Sequence, residues 1–291
     1  MIYPISFSIP ECKIVKEIPV KTQLLATNIP EKKETYIFPT EDEYYKDYQR
    51  SVFAITHKKA GWDCLRHYEI LANGCIPYFT DLDKCPPEML ALFPKTLVQE
   101  AMEASAKPWF NPTPYIEKLL DYTRQHLTTE AMARYILTIS NNQEAKSVLF
   151  ISGDDYPDYL RCLTLHGFKC LFKTDCHDIN KVPHLYDTFP VTDLSGLYGK
   201  GFSYARTLDY HQMRDDTRDT TLFPDIYSRR YDLVIFGSVH RGTPCFDLIT
   251  QVYPPEKILY LCGEDGHTTD EVCLVKALQQ FSPCFMREIH T

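Results

Sequence analysis

Residues 61–79, GWDCLRHYEILANGCIPYF, decide how this chain is read. From Trp62 to Ala72 the apolar side chains fall at Trp62, Leu65, Tyr68 and Leu71, with Ile70 and Ala72 widening the stripe, which is the spacing of a helix packed on a sheet. Asn73-Gly74 is a helix-stop signal, and Cys75-Ile76-Pro77-Tyr78-Phe79 reads as a short buried strand that starts at once. Arg66 and Glu69 stand three residues apart and share a helix face. A guanidinium fork suits a phosphate, and a carboxylate accepts two hydrogen bonds from a ribose diol, so the pair fits a sugar nucleotide. As a solvated helical pair it would contribute only about a few tenths of a kcal/mol.

Working outward, the first half predicts a strand at Ser51 to Thr56, elements at Glu88 to Leu92 and Leu97 to Glu103, and a helical hairpin, Pro114 to His126 and Glu130 to Ile139. The second half predicts strand Val148 to Ser152, helix Asp158 to Leu165, strand Lys169 to Phe172, a helix near Gly201 to Leu208, strand Leu233 to Gly237, helix Pro244 to Val252, strand Lys257 to Cys262, helix Asp270 to Gln280 and strand Pro283 to Arg287. Strands alternating with helices call for parallel sheets with right-handed crossovers. The polar stretch Asn141-Asn142-Gln143-Glu144 reads as a linker. The expected organisation is therefore α/β, with a smaller nucleotide-binding domain at 1–142 and a Rossmann-like domain at 147–291.

Arg66, Glu69, Leu71, Gly74, Cys75, Ile76 and Pro77 resemble the R-x-x-E-(A/I)-L-x-x-(G/A)-C-(I/V)-P pattern of the exostosin-type glycosyltransferases, over about 30 residues. The resemblance implies a GT-B fold, two Rossmann-like domains with parallel sheets facing across a cleft, and sugar transfer from a nucleotide donor without a metal or other cofactor. It implies donor binding by Arg66 and Glu69, with Gly61 and Trp62 beside them. The motif-bearing half normally comes second, whereas here it comes first. Residues 284–289, CFMREI, resemble the segment that closes the first domain in linear relatives, and Tyr3 to Pro10 resembles the segment immediately after it, which implies a circular permutation with the chain ends side by side and Arg287 reaching the cleft. A weaker likeness to viral enzymes that glycosylate capsid proteins makes UDP-xylose the first donor expectation, with an inverting outcome and an oligosaccharide or glycoprotein acceptor.

An acceptor hydroxyl needs a base, and the strand tips of the second half supply candidates, since open α/β sheets bind ligands at the carboxyl ends of their strands. These are Asp155 with its neighbour Asp154, His240, and the pair Asp265 and His267, bracketed by Gly263 and Gly266. Histidine titrates near neutrality, and adjacent carboxylates raise one another's pKa. Turn chemistry also explains Asp154-Asp155. Gly196, Gly199, Lys200 and Gly201 resemble a glycine-rich loop opening a helix, without the spacing of a P-loop. Tyr156, Tyr159, Tyr198, Tyr204 and Trp109 could stack on sugars, although most of 20 tyrosines serve packing. Two alternatives stay open. Asp81-Leu82-Asp83 spells the D-x-D of a metal-dependent GT-A transferase, or a turn; and the chain could bind a nucleotide-sugar or glycan without catalysing transfer.

Composition narrows the classes further. With 44% hydrophobic and 24% charged residues the 291-residue chain is an ordinary globular one, and no apolar run approaches the roughly 20 residues of a membrane span. Met1 to Pro10 has no basic residue before its apolar stretch, so a cytoplasmic location is expected. Eleven irregularly spaced cysteines, several expected in apolar strands (Cys75, Cys170, Cys262), read as reduced thiols. Cys170, Cys176 and His177 lack zinc-site spacing. A formal charge of −8 with scattered Lys and Arg argues against nucleic acid.

Overall fold

The computed structural model describes residues 1–265, 274–276, 278–280 and 282–289. The chain forms two compact units, one of Ser6–Thr128 and one of Met1–Ile5 with Thr129–Thr291. Both are α/β with parallel sheets.

The Ser6–Thr128 unit holds a three-stranded sheet in the order β2 (Gln23–Leu25), β3 (Ser51–Thr56), β4 (Ile76–Phe79). Around it lie α1 (Glu41–Arg50), α2 (Leu65–Ala72), α3 (Lys95–Ala104) and α4 (Thr113–His126). α2 buries Leu65, Tyr68, Ile70, Leu71 and Ala72, as the stripe in the sequence predicts, but it begins at Leu65, so Trp62, expected in the helix, lies in the corner before it. It stops where Asn73-Gly74 stands: Gly74 takes φ +62°, Cys75 N–H donates to the Ile70 carbonyl (3.1 Å) and Gly74 N–H to Leu71 (3.0 Å). This glycine cap absorbs the last carbonyls and turns the chain directly into β4. Glu88 to Leu92 forms turns rather than an element of its own.

The other unit holds a six-stranded sheet in the order β1-β9-β8-β7-β5-β6: β1 (Ile2–Pro4), β5 (Val148–Ile151), β6 (Cys176–Ile179), β7 (Leu233–Phe236), β8 (Ile258–Cys262) and β9 (Cys284–Met286). β5, β7 and β8 are continuous apolar runs buried on both faces, the pattern of an interior parallel strand. Ile2, Tyr3 and Pro4 pair with Cys284, Phe285 and Met286, so residues from opposite ends of the sequence are neighbouring strands. Among the described residues the unit also carries helices α5 (Thr129–Ile139), α6 (Tyr159–Phe172), α7 (Tyr210–Met213), α8 (Leu222–Tyr227) and α9 (Phe246–Val252), and residues 274–276 and 278–279 are helical.

Several expectations need correction. Lys169 to Phe172, expected as a strand, is the last turn of α6, which places Cys170 in a helix; the strand is Cys176–Ile179. α6 runs through Gly167, where a Cβ would stand 2.0 Å from the Thr129 carbonyl oxygen, so the missing side chain lets α5 pack against it. α5 thus belongs with the six-stranded sheet and not to a hairpin of the smaller unit. Asn141-Asn142, expected as linker, caps α5: Asn141 has φ 56° and Asn142 N–H reaches the Leu137 carbonyl at 2.8 Å. Where a helix is expected near 201–208, residues 202–206 form turns and Leu208 bridges Tyr186. Of the helix expected at Asp270 to Gln280, residues 270–273 and 277 lie outside the described residues. No described helix is long and apolar enough to cross a membrane. No disulfide joins the described cysteines.

Candidate functional site

In the Ser6–Thr128 unit the first turn of α2 carries Arg66 and the next turn Glu69. Glu69 is 6% exposed, and its Oε2 accepts from the Tyr44 hydroxyl at 2.8 Å. Tyr44 in turn accepts from the Tyr48 hydroxyl at 2.8 Å, and Asn28 Nδ2 donates to Tyr48 at 3.4 Å. Burial first, then the nearby Glu69 carboxylate, raises the Tyr44 pKa well above its ordinary value, while the Arg66 charge pulls the other way. Both tyrosines are held as neutral donors. Two atoms of this constellation are buried without a hydrogen-bond partner: Nη1 of Arg66 and Oδ1 of Asn28. A buried donor and a buried acceptor left open in one polar cluster are what a ligand with both kinds of group would complete.

Around it, His67 is fully buried, and burial followed by the Arg66 charge lowers its pKa to about 3. The neutral ring uses both nitrogens: Nε2 donates to the Trp62 carbonyl at 3.0 Å, and Nδ1 accepts from Thr56 at 3.1 Å. Asp63 accepts from Phe7 N–H and from the Tyr68 hydroxyl, each at 2.7 Å. These bonds pin the Gly61–Cys64 corner to the end of β3, with Gly61 and Trp62 buried in it. The sequence singles out Arg66, Glu69, Gly61 and Trp62; the structure adds Tyr44, Tyr48, Asn28 and His67 around them, Tyr44 and Tyr48 coming from α1 and Asn28 from the segment after β2.

Asp81 Oδ2 accepts from Lys58 N–H at 3.1 Å, and Asp83 is exposed on the one-turn helix Leu82–Lys84. The D-x-D is thus built as a turn. Among the described residues no group of three or more His, Cys, Asp or Glu is placed to hold a metal ion.

In the six-stranded unit the parallel register brings the tips of β5, β7 and β8 to one edge. Asp155 is exposed and makes no hydrogen bond or ion pair among the described residues. His240 Nε2 lies 2.9 Å from the Cys262 thiol at the end of β8. Asp265 pairs with Arg287 Nη2. Arg287 is 2% exposed, donating also to the Gly263 carbonyl (2.9 Å) and to Glu288 (3.0 Å). The structure therefore places Arg287 as a buried clamp between the ends of β8 and β9. His267 lies outside the described residues. Gly199 (φ 59°), Lys200 (φ 57°) and Gly201 (φ 73°) turn left-handed in succession; a Cβ on Gly199 would stand 2.5 Å from the Tyr159 hydroxyl, so close packing explains that glycine. Tyr204 is buried, Tyr159 packs against Tyr198 and Tyr204, and Tyr156 and Trp109 are exposed. No protein-family model, curated protein or solved structure matches the chain.

Proposed function

We propose that the chain is a glycosyltransferase that moves a sugar from a nucleotide-sugar, first of all UDP-xylose, to a hydroxyl of an oligosaccharide or glycoprotein acceptor. The observation that carries the reading is Arg66: its Nη1 is buried without a partner, one helical turn from a carboxylate oriented by Tyr44. In this reading Arg66 neutralises the departing diphosphate and stands in place of a metal ion, the kind of charge stabilisation that is usually the largest catalytic contribution. Glu69 takes the ribose diol. The Ser6–Thr128 unit is the donor side and the six-stranded unit the acceptor side of a GT-B arrangement, in permuted order; the pairing of residues 2–4 with 284–286 supports the permutation. The base is Asp155, His240, Asp265 or His267, with inversion as the stereochemical outcome.

One observation favours a second reading, a nucleotide-sugar-binding module without turnover: His240 and Asp265 are already engaged, by Cys262 and Arg287. The deciding experiment is thermal unfolding with UDP-sugars, GDP-sugars and UDP in EDTA, because a ligand that binds only the folded state raises its melting point. Stabilisation by one UDP-sugar, lost in Glu69→Ala and accompanied by transfer to an added glycan, is the expected result. Stabilisation without transfer means the module. A flat response to every nucleotide overturns both.

A further inference from the structure

The carboxyl ends of β5 and β7 gather buried hydrogen-bonding atoms that have no hydrogen-bond partners. From β5 the chain crosses to β6 on one side, then returns to β7 on the other, so the connections reverse direction between β5 and β7. Open α/β sheets bind ligands in the crevice at such a reversal. Ser152 directly follows β5 and is 0% exposed; Ser238 stands two residues beyond β7 and is 3% exposed; neither hydroxyl has a partner. Arg161 on α6 is 0% exposed, with Nη1 on the Asp154 carbonyl (2.8 Å) and carboxylate (2.9 Å), Nη2 on the Tyr156 carbonyl, and Nε without a partner. Nε of Arg241 likewise makes no hydrogen bond, the Asp158 carboxylate being 3.8 Å away.

These groups share one place. The Arg161 side chain stands against Gly237, its Cγ 3.1 Å from where a Cβ there would be. A Cβ on Gly153 would be 1.9 Å from the Arg241 carbonyl oxygen, so the loops after β5 and β7 touch. Asn180, at the tip of β6, donates to the Gly153 carbonyl at 3.2 Å. The amino end of α6, whose first residue is Tyr159, opens after the same β5 loop.

A buried donor left without a partner is costly, so such a cluster is expensive unless something completes it. A guanidinium N–H can only donate, so the two Nε atoms lack an acceptor, and the two hydroxyls can donate to the same group. Donors from three separate elements suit the several oxygens of a tetrahedral oxyanion better than the two of a planar carboxylate. We propose that the strand-reversal point of the six-stranded unit binds a phosphate group, held by the hydroxyls of Ser152 and Ser238 and by Nε of Arg161 and Arg241. The four atoms are closed to solvent, so in this proposal binding needs a side-chain rearrangement at the loop tips, where Tyr156 is exposed and the Arg241 guanidinium lies 4.7 Å over its ring.

The test is titration calorimetry of the full chain with inorganic phosphate and with phenyl phosphate, at ionic strength matched with chloride. Wild type and Arg66→Met bind, whereas Ser152→Ala/Ser238→Ala binds at least about tenfold more weakly, as expected for lost hydrogen bonds to a charged group. Tighter binding of the ester makes an organic phosphate the ligand, and tighter binding of the inorganic ion makes it free phosphate. Melting of the unliganded double variant is unchanged or raised, because it sheds two unpaired hydroxyls. No heat with either anion in wild type, equal binding in the double variant, loss of binding in Arg66→Met alone, or a lowered unliganded melting point overturns the proposal.

Discussion

Replacing Arg66 by Met separates a ligand-awaiting cation from a structural one. Met keeps much of the buried stem and removes the charge. Two opposing effects set the outcome. Removing the partnerless Nη1 relieves a desolvation cost of about 1–3 kcal/mol. Against this, Glu69 loses a cation on the same face; at a separation of about 6 Å and an effective dielectric of about 20, that attraction is about 2–3 kcal/mol. The effects largely offset, so Arg66→Met is expected to destabilise by no more than about 2 kcal/mol. A buried arginine that was a true ion-pair partner would instead cost about 3–5 kcal/mol on removal. Urea unfolding followed by tryptophan fluorescence reports on the right unit, because Trp62 and Trp109 both lie within Ser6–Thr128. The same variant should lose all stabilisation by UDP-sugar. A loss of stability beyond about 3 kcal/mol, or retained nucleotide binding, would refute the reasoning.

His67 predicts a pH dependence. Its folded pKa of about 3 lies below the ordinary histidine value of about 6.5, so the unfolded state binds the proton first. Stability from the neutral ring is complete above pH 6.5 and falls as pH drops toward 3, by up to about 1.4 kcal/mol per pH unit; His67→Asn should flatten that limb of a urea-midpoint profile. Tyr44→Phe leaves the Glu69 carboxylate and the Tyr48 hydroxyl without their shared partner, and should weaken UDP-sugar binding by about tenfold, read by calorimetry. Gly153→Ala drives a methyl into the Arg241 backbone and should cost about 2 kcal/mol or more by thermal melting, whereas Gly196→Ala, with nothing within 4 Å, should stay within about 0.5 kcal/mol.

The parts of the fold written in local chemistry were legible. The α2–β4 corner needed only an apolar stripe and Asn73-Gly74, and both lie within one stretch. β6 was missed because Cys176-His177-Asp178-Ile179 carries polar residues in a fully buried strand. Their burial is made tolerable from a distance: His177 meets Tyr231 (2.6 Å) and Asp219 (2.9 Å), Asp178 meets Lys169 (2.6 Å), and Lys169 also donates to Cys176 and Met213 carbonyls. Hydrophobic periodicity cannot register such pairs. The same applies to α6, where Gly167 looks like a stop and is instead a contact point for α5. In the candidate site Arg66 and Glu69 were visible as a motif, but the Tyr44 and Tyr48 hydroxyls that orient Glu69 come from α1, which no local pattern connects to α2.

The pairing of β1 with β9 governs the order in which the protein can fold. Residues 6–128 lie between the two pieces of the six-stranded unit, so they can complete their own sheet on the ribosome as soon as Thr128 has emerged. β1, already synthesised, must wait for Cys284–Met286 before it has a strand partner. Closing so long a loop adds little in equilibrium cost, since that cost grows only with the logarithm of length, but it delays the event. Until β9 arrives, β8 presents a bare apolar edge open to pairing with another chain. The interval most open to such pairing therefore runs from the emergence of β8 to that of β9, when the small unit can be finished while the six-stranded sheet still lacks both β9 and β1.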